Sequence, residues 1–237
     1  EAMANAPESR SRESLEMRIG RLMSEYQSYV ADNPDDVTAR ILYGKFLVRT
    51  GQSEPAIRQF LKADQLDPDI PVVKQQIGNY LAETGRYMAA LPYFINATDL
   101  APNEPVYFYQ LGELLYRYRD YYLQDGFYTR AELDTAMQDA FAAAARLAPE
   151  NRVFQKRYAE SFYDVASPDW ERALALWDAI LNDAATPRER QEIALHRARC
   201  LAEMGRTATA RAIARTVDAP ELRSTRERLL RSLQPSP

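Results

Sequence analysis

Between Val37 and Glu104 the apolar positions fall into two consecutive blocks with the same internal order. Ala56, Phe60 and Ala63 precede Pro68, and Ala90, Phe94 and Ala97 precede Pro102, each 34 residues later. Gly44, Gly78 and Gly112 keep the same 34-residue step. In the second block Ile77, Gly78 and Leu81 share one helical face, Gly85 interrupts it, and Ala90, Phe94 and Ala97 form a second face at i, i+4, i+7. The spacing predicts a helix–turn–helix that Pro102 stops, because proline cannot continue the hydrogen-bond ladder. Small residues at Gly78 and Ala90 predict a close approach of the two helices, with Phe94 filling the space between neighbouring pairs. A fixed period of this length marks stacked supersecondary units, each packed on its neighbours.

The same ruler divides the rest of the chain. Residues 1–11 are small, polar and charged and are expected to be a disordered tail. Leu22, Tyr26, Tyr29 and Pro34 stand 34 residues before Ala56, Phe60, Ala63 and Pro68, so 12–34 reads as a lone second helix capping the array. Repeats follow at 37–70 and 71–104. A third, 105–151, begins regularly with Phe108, Leu111-Gly112 and Leu115 and resumes at Met137, Phe141, Ala144 and Pro149, 13 residues late. The excess holds Tyr116, Tyr118, Tyr121, Tyr122, Phe127 and Tyr128, a turn signal at Asp125-Gly126, and a capping box of Thr129 with Glu132. Both helices of this repeat are expected to lengthen by about six residues, projecting a hairpin by roughly 9 Å at 1.5 Å per residue. A fourth repeat, 152–185, has Tyr158-Ala159 and Phe162, then Ser167-Pro168 as N-cap and first-turn proline, then Ala173, Trp177 and Ile180. A fifth, 188–219, has Ala198, Leu201, Gly205, Ala210 and Ala214, with Arg197 at a normally apolar position and some distortion expected there. Residues 220–234, with Leu222, Leu229, Leu230 and Leu233 among arginines, suit a C-terminal capping helix.

These offsets resemble the tetratricopeptide repeat (TPR) family. Its pattern asks for a large apolar residue, Leu-Gly, an aromatic or Leu, then Ala, an aromatic, Ala and Pro. Val37–Ile70 supplies Tyr43-Gly44, Leu47, Gly51, Ala56, Phe60, Ala63 and Pro68, and Pro71–Glu104 supplies the equivalent set without a gap. The resemblance implies an all-α fold, a right-handed superhelical solenoid of antiparallel helix pairs forming one continuous domain, with first helices lining a concave groove. Carried over by repeat position, the groove residues are Thr38, Ile41, Lys45 and Arg49; Gln75, Asn79 and Glu83; Tyr109, Glu113, Tyr116 and Arg117; Lys156, Glu160 and Tyr163; and Leu195 and Arg199. Aromatic rings with hydroxyl tips among charges of both signs suit a peptide or helix of a partner protein. The family's clamp for a C-terminal carboxylate needs a Lys and an Asn in the first repeat. Here the first offers Ile41 and Lys45 and the second Gln75 and Asn79, so that specificity is not carried over.

The function expected on these grounds is a non-enzymatic scaffold or adaptor that binds another protein. One alternative is a structural or self-associating subunit that uses Tyr118, Tyr121, Tyr122, Phe127 and Tyr128 on the projecting hairpin, or an incompletely covered end, and is able to form a homo-oligomer. The same aromatics could instead pack the hairpin against its neighbours. Another alternative is an accessory subunit of an enzyme complex.

Composition removes the remaining classes. His196 is the only histidine, read as a surface or groove residue, so multi-histidine metal sites are not available. Cys200 is the only cysteine and reads as a buried thiol. With no glycine-rich phosphate loop and no nucleophile–base arrangement, no catalytic residue, cofactor or metal is expected. The Asn96-Ala97-Thr98 sequon lies on a packed helix and is read as incidental. A net charge of −4 gives no case for nucleic acid, although 186–237 carry +5 and 1–185 carry −9. No apolar run reaches the length of a membrane span, so no insertion is expected. The sequence begins at Glu1 and not Met, so the expectation is a missing natural N-terminus, with a bacterial periplasmic or membrane-tethered location slightly favoured over a cytoplasmic one.

Overall fold

Every regular element in residues 6–124, 126 and 128–234, which the computed structural model describes, is helical. The chain forms two compact units, Glu1–Pro102 and Asn103–Pro237. In the first unit α1 (Ala6–Asp32) packs on α2 (Val37–Arg49), followed by α3 (Ser53–Leu66), α4 (Pro71–Glu83) and α5 (Tyr87–Leu100). Residues 6–11 therefore belong to a helix and not to a tail, while residues 1–5 lie outside the described residues.

Each regular pair is closed by one glycine. Gly51 and Gly85 have φ of 75° and 78°, the left-handed conformation that ends a helix without a Cβ clash. The next N–H then turns back, Gln52 to the Leu47 carbonyl and Arg86 to the Leu81 carbonyl, both at 2.8 Å. Inside each pair a phenylalanine occupies the notch left by the helix-A glycine. A Cβ on Gly44 would stand 2.7 Å from Phe60, and one on Gly78 would stand 2.9 Å from Phe94. Phe94 thus fills space within its own pair, where it was expected between pairs.

The second unit begins with the same device. α6 (Pro105–Arg117) and α8 (Arg130–Leu147) pack together, with Phe141 2.7 Å from where a Gly112 Cβ would be. Between them the pattern changes, because the position 34 residues beyond Gly85 is Arg119 and no left-handed turn forms there. α6 has 13 residues, as α2 and α4 do, and a short α7 (Arg119–Gln124) follows it. α8 has 18 residues against 14 in α3 and α5. The expected lengthening of both helices is therefore corrected: the first ends on schedule, and the excess residues are in α7, the turn and the start of α8. α7 is anchored at its first residue. The Arg119 guanidinium donates to the Asp164 carbonyl (2.8 Å) and pairs with Asp134 (3.3 Å). Asp134, only 6% exposed, also accepts from Arg130 and from the Ala166 N–H, both at 2.8 Å. Tyr122 is fully buried, and burial pushes its hydroxyl pKa up. The capping box of Thr129 with Glu132 is present, and Asp125 and Phe127 lie outside the described residues.

α9 (Arg152–Ser161), α10 (Trp170–Asn182), α11 (Pro187–Glu203), α12 (Thr207–Arg215), a 3₁₀ turn (Pro220–Leu222) and α13 (Arg223–Ser232) complete the unit. The N-cap of α10 is Asp169, whose carboxylate accepts from the Arg172 N–H at 2.9 Å, and not Ser167. The carboxylate is the stronger acceptor and stands at the offset a cap requires. Gly205, at φ 75°, repeats the closing turn. Arg197 is absorbed by an ion pair with Asp178. Leu195, Ala198, Leu201, Ala210, Ala214, Val217 and Leu233 form the last apolar cluster, on which α13 lies.

Candidate functional site

The first helices of the second unit, α6, α9 and α11, carry most of the aromatic and charged residues expected to line a groove. Their geometry centres on a residue the repeat positions do not include. Arg157, next to the expected Lys156, sends its guanidinium to Glu113 (2.7 Å) and Asp164 (3.1 Å). It also lies 4.5 Å from the Tyr116 ring centre and 4.2 Å from that of Phe141. One arginine thus fixes side chains from α6, α8 and α9 by charge, planarity and stacking together. Phe154 and Tyr158 flank it in sequence and pointed to a packed face, but an arginine there carries no periodic signal of its own.

Around this hub the expected residues separate into groups. Tyr116 is 42% exposed, and Arg117 is exposed beside it. Glu113 is half-buried and paired with Arg157. Tyr109 packs on Phe154 (4.9 Å) and Phe141 (6.0 Å), so its ring supports the site from below. Lys156 is drawn away toward Glu189 (3.2 Å) and Glu192 (3.6 Å). Glu189 also accepts from Arg152 at 2.7 Å, and this contact above all brings its pKa down to about 2. Glu160 is half-buried, and among the described residues its carboxylate has no hydrogen-bond or ion-pair partner. Burial pushes its pKa up against the pull of Arg157.

A second cluster lies where Tyr163 meets α10 and α11. His196 stacks on Trp177 at 4.0 Å between ring centres and on Tyr163 at 5.7 Å, both nearly parallel. Its Nδ1 stands 3.1 Å from the Tyr163 hydroxyl, and the Arg199 guanidinium lies 4.0 Å from the Tyr163 ring centre. Burial, then Arg199 and Lys156, bring the His196 pKa down to about 4. This histidine is an inward stacking member of the core and not the surface or groove residue expected. Its position on α11 was legible, but the partner Trp177, 19 residues away, was not. Cys200 is buried beside Tyr163.

In the first unit Lys45, Gln75 and Asn79 are half-buried, and Arg49 and Glu83 are exposed. Asn79 and Glu83 border a cavity of about 160 Å³ with Val48, Phe60 and Tyr80. Of the insertion residues, Tyr122 belongs to the core and meets Tyr128 edge-on at 6.2 Å. Tyr118 is half-buried, and Tyr121 is 48% exposed. No group of three or more His, Cys, Asp or Glu side chains suited to a metal is found among the described residues. No described helix is long and apolar enough to cross a membrane.

No family model and no curated protein matches the chain. Solved structures do. YrrB, described as a TPR protein with an unusual peptide-binding site, aligns over 81% of this chain and 90% of its own, with a TM-score of 0.64 and 16% identity. The fold is the tetratricopeptide-repeat fold. A structure of Naa15/Naa10 bound to HypK-THB aligns over 97% of this chain and 34% of that one at a TM-score of 0.62 and 16% identity. MamA from Desulfovibrio magneticus RS-1 aligns over 76% and 94% at 0.53 and 19%. In TPR terms, α2–α3, α4–α5, α6–α8, α9–α10 and α11–α12 are the helix pairs, and α7 is an addition inside the third.

Proposed function

We propose that this chain is a non-enzymatic interaction scaffold that binds a peptide or helical segment of another protein on the α6–α9–α11 face. The observation that carries this reading is the half-buried, unpartnered Glu160 beside a side-chain array already fixed by Arg157. A carboxylate removed from water without a donor is destabilising until something donates to it. A peptide N–H or a basic side chain would do so, while Tyr116 offers an exposed ring for an apolar neighbour. Because Arg157 already holds Glu113 and Tyr116, a ligand loses little affinity to ordering them. YrrB is titled a peptide-binding TPR protein, and the shared fold supports the class of ligand without supplying its sequence.

Selection from a displayed peptide library against the full chain tests the reading. Tyr116→Ala and Glu160→Gln are each expected to weaken the selected peptides by about tenfold or more while the melting temperature stays unchanged, as for central contact residues. Peptides that bind both variants as well as the parent would move the site off this face.

A further inference from the structure

The first unit carries a surface that the reading above does not use. Ile19, Met23, Tyr26 and Val30 turn α1 inward onto α2, with Tyr26 stacked on Tyr43 at 5.3 Å. A second stripe of the same helix has no such cover. Leu15, Leu22 and Tyr29 recur every seventh residue and are 56%, 45% and 50% exposed. Beside them Leu42 of α2 is also 50% exposed. Leu22, Tyr26, Tyr29 and Leu42 line an open cavity of about 410 Å³ whose rim includes Glu25 and Asp36. Large apolar side chains in line at a heptad step, next to an apolar groove, match a helix face that packs on another helix.

We propose that the occupant is α1 of a second copy, running antiparallel with its Leu22 against Leu22 on a two-fold axis. The charges favour this occupant and this direction. Arg18 lies four residues before Leu22 and Glu25 three after it. In an antiparallel pair Arg18 of one chain comes opposite Glu25 of the other, and symmetry makes the contact twice. A parallel pair would set Arg18 against Arg18 and Glu25 against Glu25, which is repulsive. The apolar layers follow the same arithmetic. Seven residues rise roughly 10 Å, so Leu15 of each copy meets Tyr29 of the other at one helical step on either side of the axis. A self-complementary patch of this kind is the form a two-fold interface takes. Leu42 and the groove floor widen the contact beyond the two-helix seam.

The full chain is followed by sedimentation equilibrium from about 1 to 100 µM, the range in which a contact of this modest size associates. A monomer–dimer transition is expected, and Leu22→Glu shifts it upward by at least about tenfold, since it places two carboxylates on the axis. Arg18→Glu and Glu25→Arg each weaken the dimer, and the double variant R18E/E25R recovers it. All three positions are exposed, so unchanged melting shows that folding is intact. A chain that stays monomeric throughout overturns the proposal, including one whose groove captures a helix of another protein. So does a dimer indifferent to Leu22→Glu. Failure of the double variant to recover overturns the antiparallel arrangement. None of these variants touches the α6–α9–α11 face, so peptide binding there stands or falls separately.

Discussion

Acidification from pH 7 to pH 5 is expected to remove about 2 kcal/mol of stability through His196 alone. In the unfolded chain the imidazole titrates near its ordinary value of 6.5, and in the fold near 4, because burial against Trp177 and Tyr163 disfavours the charged ring and Arg199 and Lys156 repel it. The folded pKa is the lower one, so the unfolded state binds a proton that the folded state refuses. Stability is full above pH 6.5 and falls as pH drops toward 4, below which the loss levels off. The separation corresponds to a limit of about 3 kcal/mol at 1.36 kcal/mol per pH unit, of which about 2 is reached by pH 5. Carboxylates titrate over part of the same range, so the measurement is a difference. Urea unfolding is followed at several pH values for the parent and for His196→Gln, whose amide can still accept from the Tyr163 hydroxyl. The variant is expected to start less stable, through lost stacking, and to fall less steeply. Because His196 is the only histidine, its ring protons also report the titration directly by NMR, with a midpoint near 4. Parallel stability curves, or an imidazole midpoint near 6.5, would refute the reasoning.

Two further outcomes follow from the packing. Gly112→Ala places a methyl 2.7 Å from Phe141 and is expected to cost about 1–3 kcal/mol in chemical denaturation. Gly20→Ala, on α1 with nothing within 4 Å, should stabilise by up to about 1 kcal/mol. Asp134→Ala leaves the Arg119 guanidinium buried without its carboxylate and is expected to cost about 3–5 kcal/mol, lowering the melting temperature while the helical circular dichroism of the cold protein persists.

The architecture was legible because its signals are local and repeated. Gly51 and Gly85 each sit where a helix must end in a left-handed residue, and Gly44, Gly78 and Gly112 each sit under a phenylalanine whose sequence distance is nearly constant. The failure at the third repeat was legible too, in principle, since Arg119 stands where the closing glycine recurs. What could not be read was where the chain goes instead, because that depends on Asp134 and Asp164, 15 and 45 residues further on. The candidate site shows the same division. Tyr116, Glu113 and Glu160 came from repeat position, whereas Arg157, which organises them, lies one residue off that register. His196 was misplaced for the same reason: single-chain periodicity assigns a face but does not say which aromatic rings of the next helix will enclose it.

The two ways of closing a helix pair also differ in time. A glycine turn joins residues five apart, such as Leu47 and Gln52, and forms as soon as the helices do. The fastening of α7 joins Arg119 to Asp164 across 45 residues and waits for α8 and α9 to be in place. The third pair therefore assembles last within its unit. Removing the Asp134 carboxylate is expected to accelerate unfolding and leave the refolding rate nearly unchanged, as for a contact made after the transition state. Equal changes in both rates would instead put this arginine–aspartate network in the folding nucleus. Substituting one glycine by an arginine has thus moved the closure of this repeat from an early local event to a late long-range one.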